Sequence, residues 1–328
     1  MIEYQADQPA FPASTTKIMT AILALEADIL DSVVTVSASA VDLPAGSSKV
    51  GLLAGEEIRI KDVLAGMMTA SGNDTANVIA ETLAGSQSLF ADQMNAKAAE
   101  LGLTGTHFVN AHGLHDASHV ITARDMAVLA AYAMKNELFR ELVSLRSYVM
   151  PTTNSHPYSG CGLFTNTNSF LQFGETALKS DLIDHYGGIK TGTTTPAGIC
   201  LVSSATTKTG HELITVVFGV SNQSPGSVYT YSKTLFDAAA GTIAATLPTA
   251  TPVPTPPATE PRSSDVPGET SLTPTASEPA PDDPDGRQGF CTWQNPWFVI
   301  LLLLLSMTVI LALLNLYRMR RSRRRRRR

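Results

Sequence analysis

Cysteine is scarce in this 328-residue chain, which has only Cys161, Cys200 and Cys291. An odd, small number of thiols excludes the disulfide framework that holds small secreted domains together. Cys200 lies in an apolar, strand-like run and reads as a small buried hydrophobe. Its pairing with Cys161 is left open by the sequence, and Cys291 has no lipidation context. Positive charge is also missing over most of the chain. Nine of the 24 basic residues are Arg between Arg318 and Arg328, and no acid follows Asp285. The remainder holds 15 basic against 29 acidic residues, a net of −14. Such a surface disfavours nucleic acid as a partner; the basic run could bind it in isolation, but its position suggests another role. The start Met1-Ile-Glu-Tyr-Gln-Ala-Asp7 has neither a basic n-region nor an apolar h-region, so no secretory leader is read there. No internal repeat is found.

A long hydrophobic run is present once. Trp297–Tyr317 is 21 residues without a charge. At about 1.5 Å per helical residue it matches a bilayer core of roughly 30 Å. Trp293, Trp297 and Tyr317 flank it as interfacial aromatics do. The run is too long for a buried core helix and has no polar face. The expectation is a single transmembrane helix over residues 296–317 with the Arg-rich tail, 318–328, in the cytoplasm. Everything before the span then lies outside the cell membrane, which calls for an export signal upstream of Met1.

Residues 248–295 read as a linker. Between 248 and 289 lie 11 of the 19 prolines, with many Ser, Thr, Asp and Glu and almost no large apolar residues. That composition predicts a disordered, partly polyproline stalk. Its 42 residues span roughly 35 Å as a flexible coil and about 130 Å as extended polyproline. Residues 1–247 are the folded domain. Apolar spacing predicts helices over Thr15–Ala27, with Ile18, Ala21, Ile22 and Leu25 on one face, and over Lys61–Ala70, Asp74–Leu83 and Ser88–Leu101. Thr122-Ala-Arg-Asp125 reads as a capping box opening a helix to about Asn136. Strands are expected at Tyr186–Thr193, Ile199–Thr206 and Leu213–Val220, with a turn at Lys208-Thr-Gly210. Pro225–Ala245 reads as a closing helix.

Three short motifs carry chemistry. In Ser14-Thr-Thr-Lys17 the serine and lysine are three residues apart, so a helix projects both from one face. A lysine that is desolvated and near another cation loses its proton readily and can activate the hydroxyl. Ser71-Gly-Asn73 falls at a break between two helices; the serine can relay a proton and the amide can hold a lysine or a substrate carbonyl. Lys190-Thr-Gly192, followed by Thr193, lies on a strand. There a cation and a hydroxyl suit a carboxylate, and the glycine allows a backbone to approach. The N–H groups of Ser14 and Thr193 are candidates for an oxyanion hole. Each motif alone is more often a cap, a turn or a strand.

Together, in this order, they match the S-x-x-K, S-x-N and K-T-G set of the penicillin-recognising serine enzymes. The chain resembles the low-molecular-mass penicillin-binding proteins, the serine-type D-alanyl-D-alanine carboxypeptidases of peptidoglycan maturation. The stretches that carry the resemblance are Pro12–Thr20, Met68–Ala76, Phe108–His115 and Gly188–Thr193, with Thr165–Asn168 and Ala197–Leu201 also similar. It covers about residues 1–245. It implies an α/β (α+β) fold, in which an antiparallel sheet flanked by helices stands beside a mostly helical lobe with the site in the cleft between. It implies Ser14 as acylated nucleophile and Lys17 as its base. Ser71 and Asn73 would assist proton transfer and positioning, and Lys190, Thr191, Gly192 and Thr193 would bind substrate. The implied substrate is a peptidoglycan stem peptide, the implied inhibitors are β-lactams, and no cofactor is expected. Members begin with strands ahead of the nucleophile, and here Met1–Ala6 resembles the end of such a hairpin, so the N-terminus is expected to be truncated.

Other readings are weaker. His112, His115 and His119 lie in a glycine-containing loop without the helical H-E-x-x-H pattern, and no metal site is read there. Asn73-Asp-Thr75 fits a glycosylation sequon but falls at the helix break. A β-lactamase of class A uses a deacylating glutamate; Glu175-Thr-Ala-Leu-Lys179 approaches its motif with Lys in place of Asn and only 15 residues before Lys190. A DD-endopeptidase and a catalytically silent wall-binding module complete the alternatives.

Overall fold

The structure is a computed structural model that describes residues 1–246, apart from 159 and 225. The linker, span and Arg-rich tail expected at 248–295, 296–317 and 318–328 lie outside the described residues, as does Cys291. Among the described residues no helix is long and apolar enough to cross a membrane.

The helices in chain order are α1 Lys17–Glu26, α2 Ala38–Val41, α3 Ile60–Ala70, α4 Asn73–Ala84, α5 Gln87–Glu100, α6 Ala123–Ala133, α7 Glu137–Ser144, α8 Ser169–Ala177 and α9 Ser227–Thr246. The strands are β1 Pro9–Ala10, β2 Val33–Thr35, β3 Glu57–Arg59, β4 Ile121–Thr122, β5 Ser147–Val149, β6 Leu163–Thr165, β7 Ile183–Tyr186, β8 Lys190–Thr194, β9 Gly198–Thr207 and β10 Glu212–Val220. A 3₁₀ turn, Ala13–Thr16, leads into α1. The main sheet is antiparallel. β10 pairs with one edge of β9, and β7 and β8 share the other. Three two-stranded ribbons, β1–β4, β2–β3 and β5–β6, lie outside it.

Local chemistry sets most helix ends. Ser37, Ser86, Thr122, Asn136 and Asn168 each accept a backbone N–H at a helix start. Gly85 closes α4 in the left-handed region. The capping box at Thr122 is half formed. Thr122 accepts from Asp125 N–H, whereas the Asp125 carboxylate accepts from Gly105 N–H and Thr106 Oγ1 and so pins the preceding loop.

Among the described residues the buried apolar side chains form three clusters. The helical lobe buries α1 at its centre among residues such as Met67, Ile79, Phe90 and Leu129. The helix is buried almost all round, not on one face as its periodicity suggested, and only Leu23, Leu25 and Glu26 of it reach solvent. A second core lies under the sheet, where Phe170 of α8 and Phe236 of α9 pack on Tyr186 and Leu201. A small third cluster of Ala13, Ala197 and Cys200 joins the 3₁₀ turn to the sheet. Cys161 and Cys200 are both free thiols.

Two expectations need correction. Tyr186–Thr193 is not one strand. Gly187 and Gly188 break it, so that β7 pairs near Ala205 while β8 is in register with Val202–Gly198. Gly187 N–H reaches Ser204 O, and the Ser204 hydroxyl donates to Gly188 O. A side chain at Gly188 would overlap Val143 O. Met1–Ala6 carries no strand; β1 begins at Pro9 and pairs with β4.

Candidate active site

The 3₁₀ turn sets Ser14 at the entrance to α1 and Lys17 one turn later, so both side chains project from one face. Lys17 Nζ lies 3.0 Å from Ser14 Oγ. It also donates to Asn73 Oδ1 at 2.7 Å and to His112 O at 2.8 Å. These last two oxygens are acceptors only and take two N–H bonds. The third direction from the nitrogen faces the serine hydroxyl, which can donate. A neutral amine satisfies all three contacts, with its lone pair toward Ser14. Burial, then the positive charge of Lys190, holds Lys17 well below the usual lysine range, against the pull of Asp74.

The loop Phe108–His119 braces this turn. Thr20 donates to Ala111 O, and a side chain at Gly113, which has φ +86°, would overlap the Ala13 carbonyl. His119 Nδ1 accepts from Val109 N–H, so Nε2 carries the ring proton and donates to Thr16 Oγ1, whose own proton goes to Ala13 O. Burial lowers His119 to about 4 and His112 to about 3, so both rings are neutral. His112 Nδ1 accepts from Leu114 N–H, and His115 stacks edge-on against Phe11. The three histidines are thus part of the scaffold of the turn.

Ser71 ends α3 in the left-handed region at φ 60°, and Ala13, just before Ser14, sits at φ 47°. These two are among only four non-glycine residues with positive φ among the described residues. Strained backbone of this kind costs on the order of 1–3 kcal/mol and persists where the surroundings fix it. At Gly72 an added Cβ would lie 2.5 Å from Thr75 Oγ1. The buried Asp74 carboxylate accepts N–H bonds from Val50, Gly51, Leu52 and Thr75, and Asn73 N–H bonds to Ser48 O. The loop before β3 is thereby tied to the Ser71–Asn73 break. Asn73 is itself buried, which removes it as a glycosylation acceptor.

The third motif lies on β8, which among the described residues pairs only with β9. Its other side meets the 3₁₀ turn: a Cβ at Gly192 would come within 2.9 Å of both Pro12 O and Ser14 N. Lys190 is fully buried, donates to Thr191 O and is lowered by burial to about 7. Thr191 Oγ1 is 2.5 Å from Thr167 Oγ1, while Thr193 is exposed and donates to Gly192 O. Thr167 belongs to the Thr165–Asn168 stretch, where Asn168 bonds Ser203 and Asn166 bonds Leu145 O. Sequence reasoning missed Asp74, Gly113, His119 and Thr167 as parts of the site, because their partners are distant in the chain or are backbone atoms.

A serine–lysine pair, a helix-break asparagine on that lysine and a strand-borne Lys-Thr-Gly beside the serine are thus brought together at one place. Comparison with known proteins gives the chain a family. A family described as D-alanyl-D-alanine carboxypeptidase matches residues 1–222, and the chain belongs to that family. It is 36% identical over 217 residues to the D-alanyl-D-alanine carboxypeptidase DacF of Bacillus subtilis, covering 64% of this chain and 51% of that one. It is 33% identical over 228 residues to DacB2 of Mycobacterium tuberculosis, covering 69% and 72%. Among solved structures, a C98A mutant of the Streptomyces K15 DD-transpeptidase superposes with a TM-score of 0.63 at 28% identity, over 73% of this chain and 92% of that one. The structure of a D-alanyl-D-alanine carboxypeptidase from M. tuberculosis gives 0.62 at 28% identity, over 74% and 86%. The chain thus spans about half the length of the B. subtilis relative.

Proposed function

We propose that this chain is a serine D-Ala-D-Ala carboxypeptidase that removes the terminal D-alanine of peptidoglycan stem peptides. The observation that carries the reading is the Lys17 amine, held by Asn73 Oδ1 and His112 O with its remaining direction on Ser14. Lys17 takes the Ser14 proton as Oγ attacks the carbonyl of the penultimate D-alanine. The N–H groups of Ser14 and Thr193 bear the developing oxyanion. The peptide C–N bond breaks, and the departing D-alanine takes a proton from Lys17, relayed by Ser71. Water then attacks the ester; Lys17 takes a water proton and returns one to Ser14 as the shortened peptide leaves. Lys190 and Thr191 hold the substrate carboxylate, and the edge of β8 that does not pair with β9 accepts the extended substrate backbone beside Ser14. A β-lactam would follow the same first step and remain on Ser14.

The proposed setting is extracytoplasmic. The apolar run at residues 296–317 and the nine arginines after it support a single membrane anchor with a cytoplasmic tail, and the proline-rich segment supports a stalk.

Release of D-alanine from a synthetic pentapeptide ending in D-Ala-D-Ala, together with labelling by a fluorescent penicillin, tests the assignment. Both are expected for the native chain and both are expected to disappear in Ser14→Ala. Undiminished labelling of Ser14→Ala would overturn it, and rapid turnover of a chromogenic cephalosporin would favour a β-lactamase.

A further inference from the structure

Apart from the serine–lysine site, two loops bring three side chains of metal-binding type to one point. Glu56 ends the loop before β3, and His156 and Cys161 lie in the strap between β5 and β6. Glu56 Oε1, His156 Nδ1 and Cys161 Sγ lie within 4.8 Å of one another, the only such trio among the described residues. The pairwise distances are 3.0 Å for Nδ1 to Oε1, 3.5 Å for Sγ to Nδ1 and 3.9 Å for Sγ to Oε1. A tetrahedral ion bound at about 2.0–2.1 Å to nitrogen and oxygen and about 2.3 Å to sulfur requires edges of about 3.3 and 3.6 Å. Each observed edge is therefore within a few tenths of an ångström of that figure.

The surroundings orient the trio. Glu56 is fully buried, and its Oε2 accepts from Leu53 N–H while Oε1 accepts from Thr153 Oγ1. His156 N–H bonds to the same Thr153 oxygen. Outer hydrogen bonds of this kind fix a ligating carboxylate in metal sites. The His156 side chain keeps 24% of its surface exposed and Cys161 is half-buried, so the point of convergence can be reached from solvent. An ordinary carboxylate–imidazole bond would account for two of the groups. It leaves out the thiol, which lies 3.5 Å from the imidazole nitrogen and 3.9 Å from both the carboxylate oxygen and Gly51 O.

We propose that Glu56, His156 and Cys161 form a site for a borderline-soft divalent transition cation of the zinc type, with the fourth position open. One thiolate, one imidazole and one carboxylate suit that class and not Mg²⁺ or Ca²⁺, which need oxygen ligands. On binding, the Cys161 thiol gives its proton to solvent as the sulfur–metal bond forms. The imidazole keeps one proton, on Nε2, and Nδ1 takes the metal; no electron is transferred. Glu56 gives up its bond from His156 and keeps those from Thr153 and Leu53. The ion would tie the strap to the loop whose Val50, Gly51 and Leu52 N–H groups hold Asp74, next to Asn73.

Cobalt(II) is the probe, because zinc is spectroscopically silent. The full chain, stripped with a chelator, is expected to bind one equivalent of Co²⁺ with a thiolate-to-cobalt charge-transfer band that Zn²⁺ abolishes by displacement. Cys161→Ser is expected to remove the band, and Thr153→Val to weaken affinity by about 10–100-fold. A native chain without the band, or a band that persists in Cys161→Ser, overturns the site. Alkylation mapped by mass spectrometry needs no variant: Zn²⁺ is expected to protect Cys161 from a maleimide at least tenfold. Equal labelling with and without Zn²⁺ overturns the site equally.

Discussion

Asn73 Oδ1 accepts a 2.7 Å hydrogen bond from Lys17 Nζ across 56 residues of sequence. The bond positions the lysine without adding charge beside it, while burial and the positive charge of Lys190 lower its hold on the proton. An amide oxygen accepts without carrying charge, so the buried amine can lose its proton. In Asn73→Asp the same oxygen would carry a negative charge within 3 Å, which favours the ammonium. Lys17 would then be locked in the form that has no lone pair for Ser14. The expected outcome is a loss of penicillin acylation rate of at least about 10²-fold at neutral pH. At saturating penicillin, whose carboxylate keeps Lys190 charged, the lost rate should return as pH is raised, since high pH strips the proton the aspartate retains. A rate that stays flat with pH in Asn73→Asp would count against Lys17 as the base.

How much of this was legible in the sequence depends on the range of each interaction. The α3–α4 pair was readable nearly to the residue, because Ser71-Gly72 breaks a helical pattern locally. The three motifs were readable because each is a short run of the right chemistry. The brace around the nucleophile was not. Gly113 matters only because the chain folds it onto the Ala13 carbonyl, and His119 only because it meets Thr16, 103 residues away. Apolar periodicity marked α1 as amphipathic, yet other helices cover nearly all its faces, which no single segment reveals. The break in Tyr186–Thr193 was signalled by Gly187-Gly188, and its register depended on Ser204, a residue of a different strand.

Lys190 supplies a pH prediction. Burial lowers its folded-state value to about 7, so free enzyme loses this cation as pH rises through that point. Under the proposed function a carboxylate-ended substrate binds the protonated form. The kcat/KM for a D-Ala-D-Ala peptide is therefore expected to fall on the alkaline side with an apparent pKa near 7. Bound carboxylate favours the ammonium, so the same limb in kcat should lie at higher pH. Profiles measured for both parameters check this; coincident alkaline limbs would remove Lys190 from substrate binding.

Burying that lysine also carries a stability cost, with a defined sign. Its folded value lies below the unfolded one of about 10.4, so the penalty is full below about pH 7, shrinks as pH rises, and vanishes above the unfolded value. Lys190→Met replaces the amine with an apolar chain of similar length. It is expected to abolish D-alanine release and to raise the thermal midpoint by several degrees at pH 6. The gain should diminish toward pH 10, and a variant less stable than the native chain at pH 6 would refute the buried-cation account.

Gly113 and Gly210 form a matched pair for testing the brace. Both have φ near +85°, at +86° and +82°, but a side chain at Gly113 would overlap Ala13 O whereas a Cβ at Gly210 would have nothing within 4 Å. Gly210→Ala is expected to cost about 1 kcal/mol, the price of left-handed backbone alone. Gly113→Ala adds a clash with backbone that cannot move without carrying Ser14. It is expected to cost at least about 3 kcal/mol in urea unfolding and to slow acylation of whatever fraction folds. Equal costs for the two substitutions would mean that Gly113 serves only its own turn, and that the loop 108–119 does not hold Ser14 in place.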